Sequence, residues 1–83
     1  MSQPEDERQE VYQFEKNSAE EVRVSLSTYK GREYADLRVY FKGDDGQMHP
    51  GKKGITLALA LLPELEIAVQ KLREAVGLNN LTL

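Results

Sequence analysis

The sequence predicts an α+β domain: four antiparallel strands in a meander, then one C-terminal helix that also serves self-association. Three observations predict it. Apolar and polar residues alternate over Val22–Ser27 and again over Tyr34–Tyr40, the period of half-buried strands. Lys30-Gly31 and Gly43-Asp44-Asp45-Gly46 punctuate the chain where hairpins need turns. After Leu57 the apolar period lengthens to that of a helix.

Residues 1–10 are polar, contain Pro4 and show no periodicity, so they read as a disordered acidic arm. The folded domain then spans 11–78, with 79–83 as a tail. Val11 to Lys16 is compatible with a short strand. The next strand runs from Val22 to about Tyr29. Gly31 supplies the positive φ of a tight turn. From Arg32 to about Lys42, Ala35, Leu37 and Val39 take one face, and Tyr34, Asp36, Arg38 and Tyr40 take the other. Gln47 to Leu57 forms the last strand. Pro50, Gly51 and Gly54 make its beginning irregular and assign it to a sheet edge or a bulge.

Pro63 suits a first helical turn and Gly77 suits a stop, which sets a helix from near Leu62 to Val76. Leu61, Leu65, Ala68, Leu72 and Ala75 form an apolar stripe, widened by Leu62, Val69 and Val76. The stripe is broader than one sheet requires. A chain of 83 residues also buries only about 60–65% of its unfolded surface. The helix is therefore expected to pack on its own sheet and on a second copy, with Leu61, Leu65, Ala68, Val69, Leu72 and Val76 at the dimer interface.

Composition removes most enzyme classes. There is no Cys and one His, so thiol chemistry, zinc–thiolate sites and imidazole relays lack their parts. Gly51-Lys52-Lys53-Gly54 lacks the spacing of a nucleotide-phosphate loop and leads into a strand. Asp44 and Asp45 lack the alternating ligands of a calcium loop and read as a turn. His49 reads as an exposed loop residue. The expectation is a non-enzymatic protein with no cofactor and no metal. The acidic start has no apolar signal segment, and the apolar run Ile55–Pro63 is too short for a bilayer.

The net charge of −3 conceals an asymmetry. Residues 1–21 carry −5, residues 22–53 carry +3 and the remainder −1. A basic middle can hold a polyanion, and it can equally be an ordinary solvated sheet face. Cations meet aromatics at two places within it. Tyr29-Lys30-Gly31-Arg32 forms a hairpin tip, and Arg38-Val39-Tyr40-Phe41-Lys42 ends the following strand. Cations neutralise phosphates and flat rings stack on any base, which is what unpaired nucleic acid requires. Cross-strand packing would use the same aromatics, so spacing alone leaves both readings open.

Val22 to Leu57, VRVSLSTYKGREYADLRVYFKGDDGQMHPGKKGITL, resembles the DNA-binding domain of the transcriptional positive cofactor four family, also called the transcriptional coactivator p15 family. The shared order is a strand, an aromatic-Lys-Gly-basic turn, Asp-hydrophobic-Arg, an aromatic pair, an acidic Gly loop, then Pro-Gly-basic-Lys-Gly-Ile-Ser/Thr-Leu. The resemblance implies a curved sheet, dimerisation through the helices, and channels for single-stranded or locally unpaired DNA. By position it makes Tyr29 and Phe41 base-stacking rings, and Lys30, Arg32, Arg38 and Lys53 phosphate and base contacts. Lys52 matches a further basic position.

Four residues depart from the family pattern. His49 stands where Lys is usual, which implies a weaker or a pH-dependent contact. Phe41 stands for Trp and implies a weaker stack; Ser27 and Glu20 replace basic residues near the channel. The short acidic arm, in place of a long Ser-rich one, implies a compact bacterial or phage member.

The expected function is sequence-tolerant single-stranded DNA binding in transcription, with replication, recombination or repair as further settings. Transcription or replication proteins would be its partners, and no membrane is implied. Its expected location is the cytoplasm or nucleoid of a bacterium or phage host, or a nucleus if the source is eukaryotic. Unpaired RNA is an alternative ligand, because nothing in the sequence reads a 2′-hydroxyl. A protein-interaction adaptor using the helix and acidic arm is the alternative of a different class.

Overall fold

The structure, a computed structural model, describes residues 7–77. Strand β1 is Glu7–Glu15, β2 is Glu20–Tyr29, β3 is Arg32–Lys42 and β4 is Met48–Ala58. A 3₁₀ turn, Leu59–Leu61, leads into helix α1, Leu62–Val76. The strands form one antiparallel sheet in the order β1-β2-β3-β4, the expected meander.

The β2–β3 hairpin turns at Lys30 and Gly31, both at positive φ (53° and 78°), the pair of angles that matches the twist of flanking strands. The register that follows is regular from Tyr29↔Arg32 to Glu20↔Phe41. It places Val22, Val24 and Leu26 beside Val39, Leu37 and Ala35 on one face. Ser25 stands beside Asp36 on the other face. Tyr12 and Phe14 extend the apolar face across β1, and Ile55 and Leu57 extend it across β4.

Two irregularities bend the sheet. One falls between Glu10 and Tyr12 in β1. At the other, Arg38 pairs with Gly54 but Tyr40 pairs with Pro50, so β4 spends four residues where β3 spends two. The expected bulge is there, and β4 is an edge strand. Gly54 permits it, since a Cβ at that position would stand 2.6 Å from the Leu37 carbonyl oxygen.

Two expectations are corrected. The strand near the N-terminus begins at Glu7, not Val11, so residues 7–10 of the expected disordered arm pair with Ser25–Thr28. Their alternation is polar because Arg8 turns to the Asp36 face, where its Nη1 lies 3.1 Å from Asp36 Oδ2. The remaining arm (1–6), residue 78 and the tail (79–83) lie outside the described residues.

The second correction concerns α1, which does not pack on its own sheet. It contributes no buried residue, and its main neighbour is the 3₁₀ turn. That turn carries the chain off the sheet after Ala58, leaving Leu72 65% exposed. The helix bounds are as expected. Pro63 lies in the first turn, and Gly77 (φ 88°) ends the helix with its N–H donated to the Arg73 carbonyl.

Ala35 is the only buried apolar residue among those described. Among the described residues, then, the apolar face of the sheet has no second layer.

Candidate nucleic-acid interface

The sequence-predicted residues separate into three groups. The first surrounds Phe41. This ring is 43% exposed, on the apolar-face side of β3 and near the end of the strand. Its cross-strand neighbours are Glu20 on β2 and His49 on β4. The His49 ring lies 5.9 Å from it, tilted by 39°. The β4 bulge brings Gly51, Lys52 and Lys53 to the other side of a pocket of about 230 Å³ that Phe41, Val39 and Glu20 complete. A Cβ on Gly51 would lie 3.6 Å from the Phe41 ring, so the backbone passes close to the aromatic edge. An exposed ring beside two lysines can stack a base while the cations meet its phosphates.

His49 is not an unengaged side chain. Its Nε2 sits 3.0 and 3.1 Å from the two carboxylate oxygens of Asp45. The Gln47 backbone N–H and His49 together hold the Asp45 carboxyl below its ordinary range. The one hint of this pair in the sequence is the four-residue spacing across a tight turn. Glu20 is a second acidic group at the site, and Lys16 and Asn17 bond to its Oε1 and lower its pKa.

The second group is the β2–β3 hairpin tip. Tyr29 is 51% exposed, and the Lys30 ammonium lies 5.3 Å from its ring centre. Arg32 is Tyr29's cross-strand partner. Strand alternation puts both on the Asp36 face. From Arg32 to Phe41 the strand rises about 30 Å at ~3.3 Å per residue. Within one chain, then, the two aromatic clusters occupy opposite ends and opposite faces of the sheet.

Arg38 forms the third group alone. It lies on the Asp36 face and grips that carboxylate with Nε (3.1 Å to Oδ2) and Nη2 (2.9 Å to Oδ1). Its Nη1 donates to the Gly51 and Lys52 carbonyls at 3.3 and 3.4 Å. Thr56 Oγ1 donates to Asp36 Oδ1 at 2.6 Å. Asp36 is 2% exposed. Burial pushes its pKa up, but the bonds from Arg38, Thr56 and Arg8 outweigh that and hold it below the ordinary value. Arg38 thereby ties β3 to the bulge that presents Lys52 and Lys53. In the sequence, only the shared parity of Asp36 and Arg38 hints at this network. Nearby, Arg23 lies over the Tyr40 ring at 4.3 Å, which engages that aromatic too.

Among the described residues, no group of three His, Asp or Glu side chains could hold a metal ion. No described helix is long and apolar enough to cross a membrane.

The family model described as Transcriptional Coactivator p15 (PC4) matches residues 16–68, from the end of β1 into α1. The chain belongs to this family. Membership gives it the family's DNA-binding, coactivator-like character. Among solved structures it is similar to a PC4 homologue from Burkholderia pseudomallei, at TM-score 0.76 and 24% identity, covering 82% of this chain and 100% of that one. An orthorhombic crystal form of the same homologue gives TM-score 0.74 at 24% identity, over 80% of this chain and 89% of that one. It is also similar to the bacteriophage T5 homologue of the eukaryotic coactivator PC4, a protein implicated in recombination-dependent DNA replication. That likeness has TM-score 0.62 at 19% identity and covers 89% of this chain and 85% of the phage protein. At these identities the likeness is one of fold, and it fits a compact bacterial or phage form of the PC4 family.

Proposed function

We propose that this PC4-family chain is a homodimeric, sequence-tolerant single-stranded DNA-binding protein without a catalytic step. It would act in transcription, and in replication or recombination where unpaired strands persist. The observation that carries the reading is the half-exposed Phe41 ring set between Gly51, Lys52 and Lys53 on an open sheet. Duplex DNA hides its base faces, so a stacking ring backed by cations favours strands whose bases are already free.

The exposed apolar surface supports the homodimer part of the reading. The apolar sheet face and the exposed Leu61, Val69 and Leu72 have no cover among the described residues, and a second copy would bury both. Leu65 is half-buried, Ala68 is exposed and Val76 is 41% exposed, along the same helix. A dimer would also bring the hairpin tip of one protomer within the same assembly as the Phe41 cluster of the other. A bound strand could then engage both kinds of cluster.

The test is a fluorescence titration of an unstructured DNA oligonucleotide with wild type and with Phe41→Ala/Lys53→Ala. The reading requires the double variant to lose most of the affinity while remaining folded. Unchanged binding and an unchanged cellular phenotype would favour the adaptor role instead.

A further inference from the structure

Glu20 lines the pocket beside Phe41, and nonspecific attraction to phosphates does not call for an acidic residue there. We propose that Glu20 makes this subsite selective among bases, favouring those with an exocyclic amino group (cytosine, adenine, guanine) over thymine or uracil. The inference rests on the reading of Phe41 as a stacking ring and adds a preference at that one position.

Glu20 opens β2 directly across from Phe41 and lines the same pocket with Lys52 and Lys53. Side chains paired across antiparallel strands have Cβ atoms about 5 Å apart, so the carboxylate can reach the edge of a base lying on the ring. It is also held in place. Oε1 accepts from Lys16 Nζ and from Asn17 Nδ2, each at 2.9 Å. Oε2 has no hydrogen bond among the described residues. Those same donors lower its pKa below the ordinary value. An ionised carboxylate accepts hydrogen bonds and donates none.

The base edges differ in what they offer such an acceptor. Cytosine and adenine present an amino donor beside a ring-nitrogen acceptor, and guanine presents an amino group beside N1–H. Thymine presents a single N–H between two carbonyl oxygens, which repel an approaching carboxylate. Lys53, close enough to interact electrostatically with Glu20, supplies a donor for the neighbouring acceptor of an amino-bearing base. The pocket thus offers an acceptor and a donor side by side, a pattern that cytosine matches and thymine opposes.

The experiment compares fluorescence anisotropy titrations of oligo(dC) and oligo(dT) of equal length, at mildly alkaline pH and fixed salt, for wild type and Glu20→Gln. Wild type is expected to bind oligo(dC) about tenfold more tightly, the scale of one discriminating base contact. In Glu20→Gln the preference should shrink to about twofold, mainly through tighter oligo(dT), because an amide both donates and accepts. A second measurement uses an oligonucleotide whose cytosines lack the N4 amino group, which wild type should bind no better than oligo(dT). Equal wild-type affinities would overturn the proposal. So would a Glu20→Gln variant that tightens both oligonucleotides by one factor, since Glu20 would then act only as a repelling charge. Failure of wild type to bind either strand would instead bring down the stacking reading itself.

Discussion

Arg38 and Phe41 share strand β3 yet point to opposite faces of the sheet, and the two meet only through the β4 bulge. Phe41 borders the bulge's pocket on one side, while Arg38 bonds to the bulge's Gly51 and Lys52 carbonyls from the other. On the proposed reading the ring would serve contact, while the guanidinium holds the shape of the bulge.

Phe41→Ala should therefore weaken single-strand binding by about 1–3 kcal/mol, the value of one stacked base, with little change in thermal stability. The ring is already 43% exposed, so few packing contacts are lost. Anisotropy titration and a thermal melt on the same sample check both halves.

Arg38→Ala should show the reverse signature. It removes two bonds to the buried Asp36 and both bonds to the bulge. The loss should destabilise the fold by about 2 kcal/mol, because hydrogen bonds to charged groups each contribute at that scale. Arg38→Lys should not restore it, since an ammonium cannot reproduce the forked grip. Chemical denaturation of the three proteins is the measurement.

The same carboxylate sets a pH dependence. Asp36 has a folded-state pKa below its ordinary 3.8. Its contribution is complete above that ordinary value and disappears as pH falls through the lower folded value. Stability should decline on acidification below about pH 4, and Asp36→Asn should flatten that decline while lowering stability at neutral pH. Denaturation midpoints across an acid series would show it.

Leu72→Asp should separate the copies. Leu72 is 65% exposed in the single chain, so the charge disturbs little there but would be buried between two helices. Sedimentation should shift from dimer to monomer, with circular dichroism of the sheet retained.

Much of this architecture is legible in the sequence because it is set locally. Lys30-Gly31 dictates its turn, Pro50 and the glycines place β4 at an edge with a bulge, and Pro63 and Gly77 bracket α1. What the sequence conceals is long-range. Glu7–Glu10 has no apolar alternation, and its strand is anchored by Arg8 reaching Asp36 two strands away. The α1 stripe indicates an apolar surface but not what covers it, so the helix's position off the sheet is invisible beforehand. Phe41, Lys52 and Lys53 line one pocket only because of the β4 bulge, and the engagement of His49 by Asp45 and of Arg38 by Asp36 likewise depends on which side chains the register brings into reach.

The most direct test is a competition between a single strand and its matched duplex for the wild-type protein, followed by anisotropy at two salt concentrations. The single strand should win by about tenfold or more, with affinity falling as salt rises at about 0.7 log units per phosphate contact per decade. Equal affinity for the two forms would contradict the account, because a stacking platform cannot be indifferent to whether bases are free.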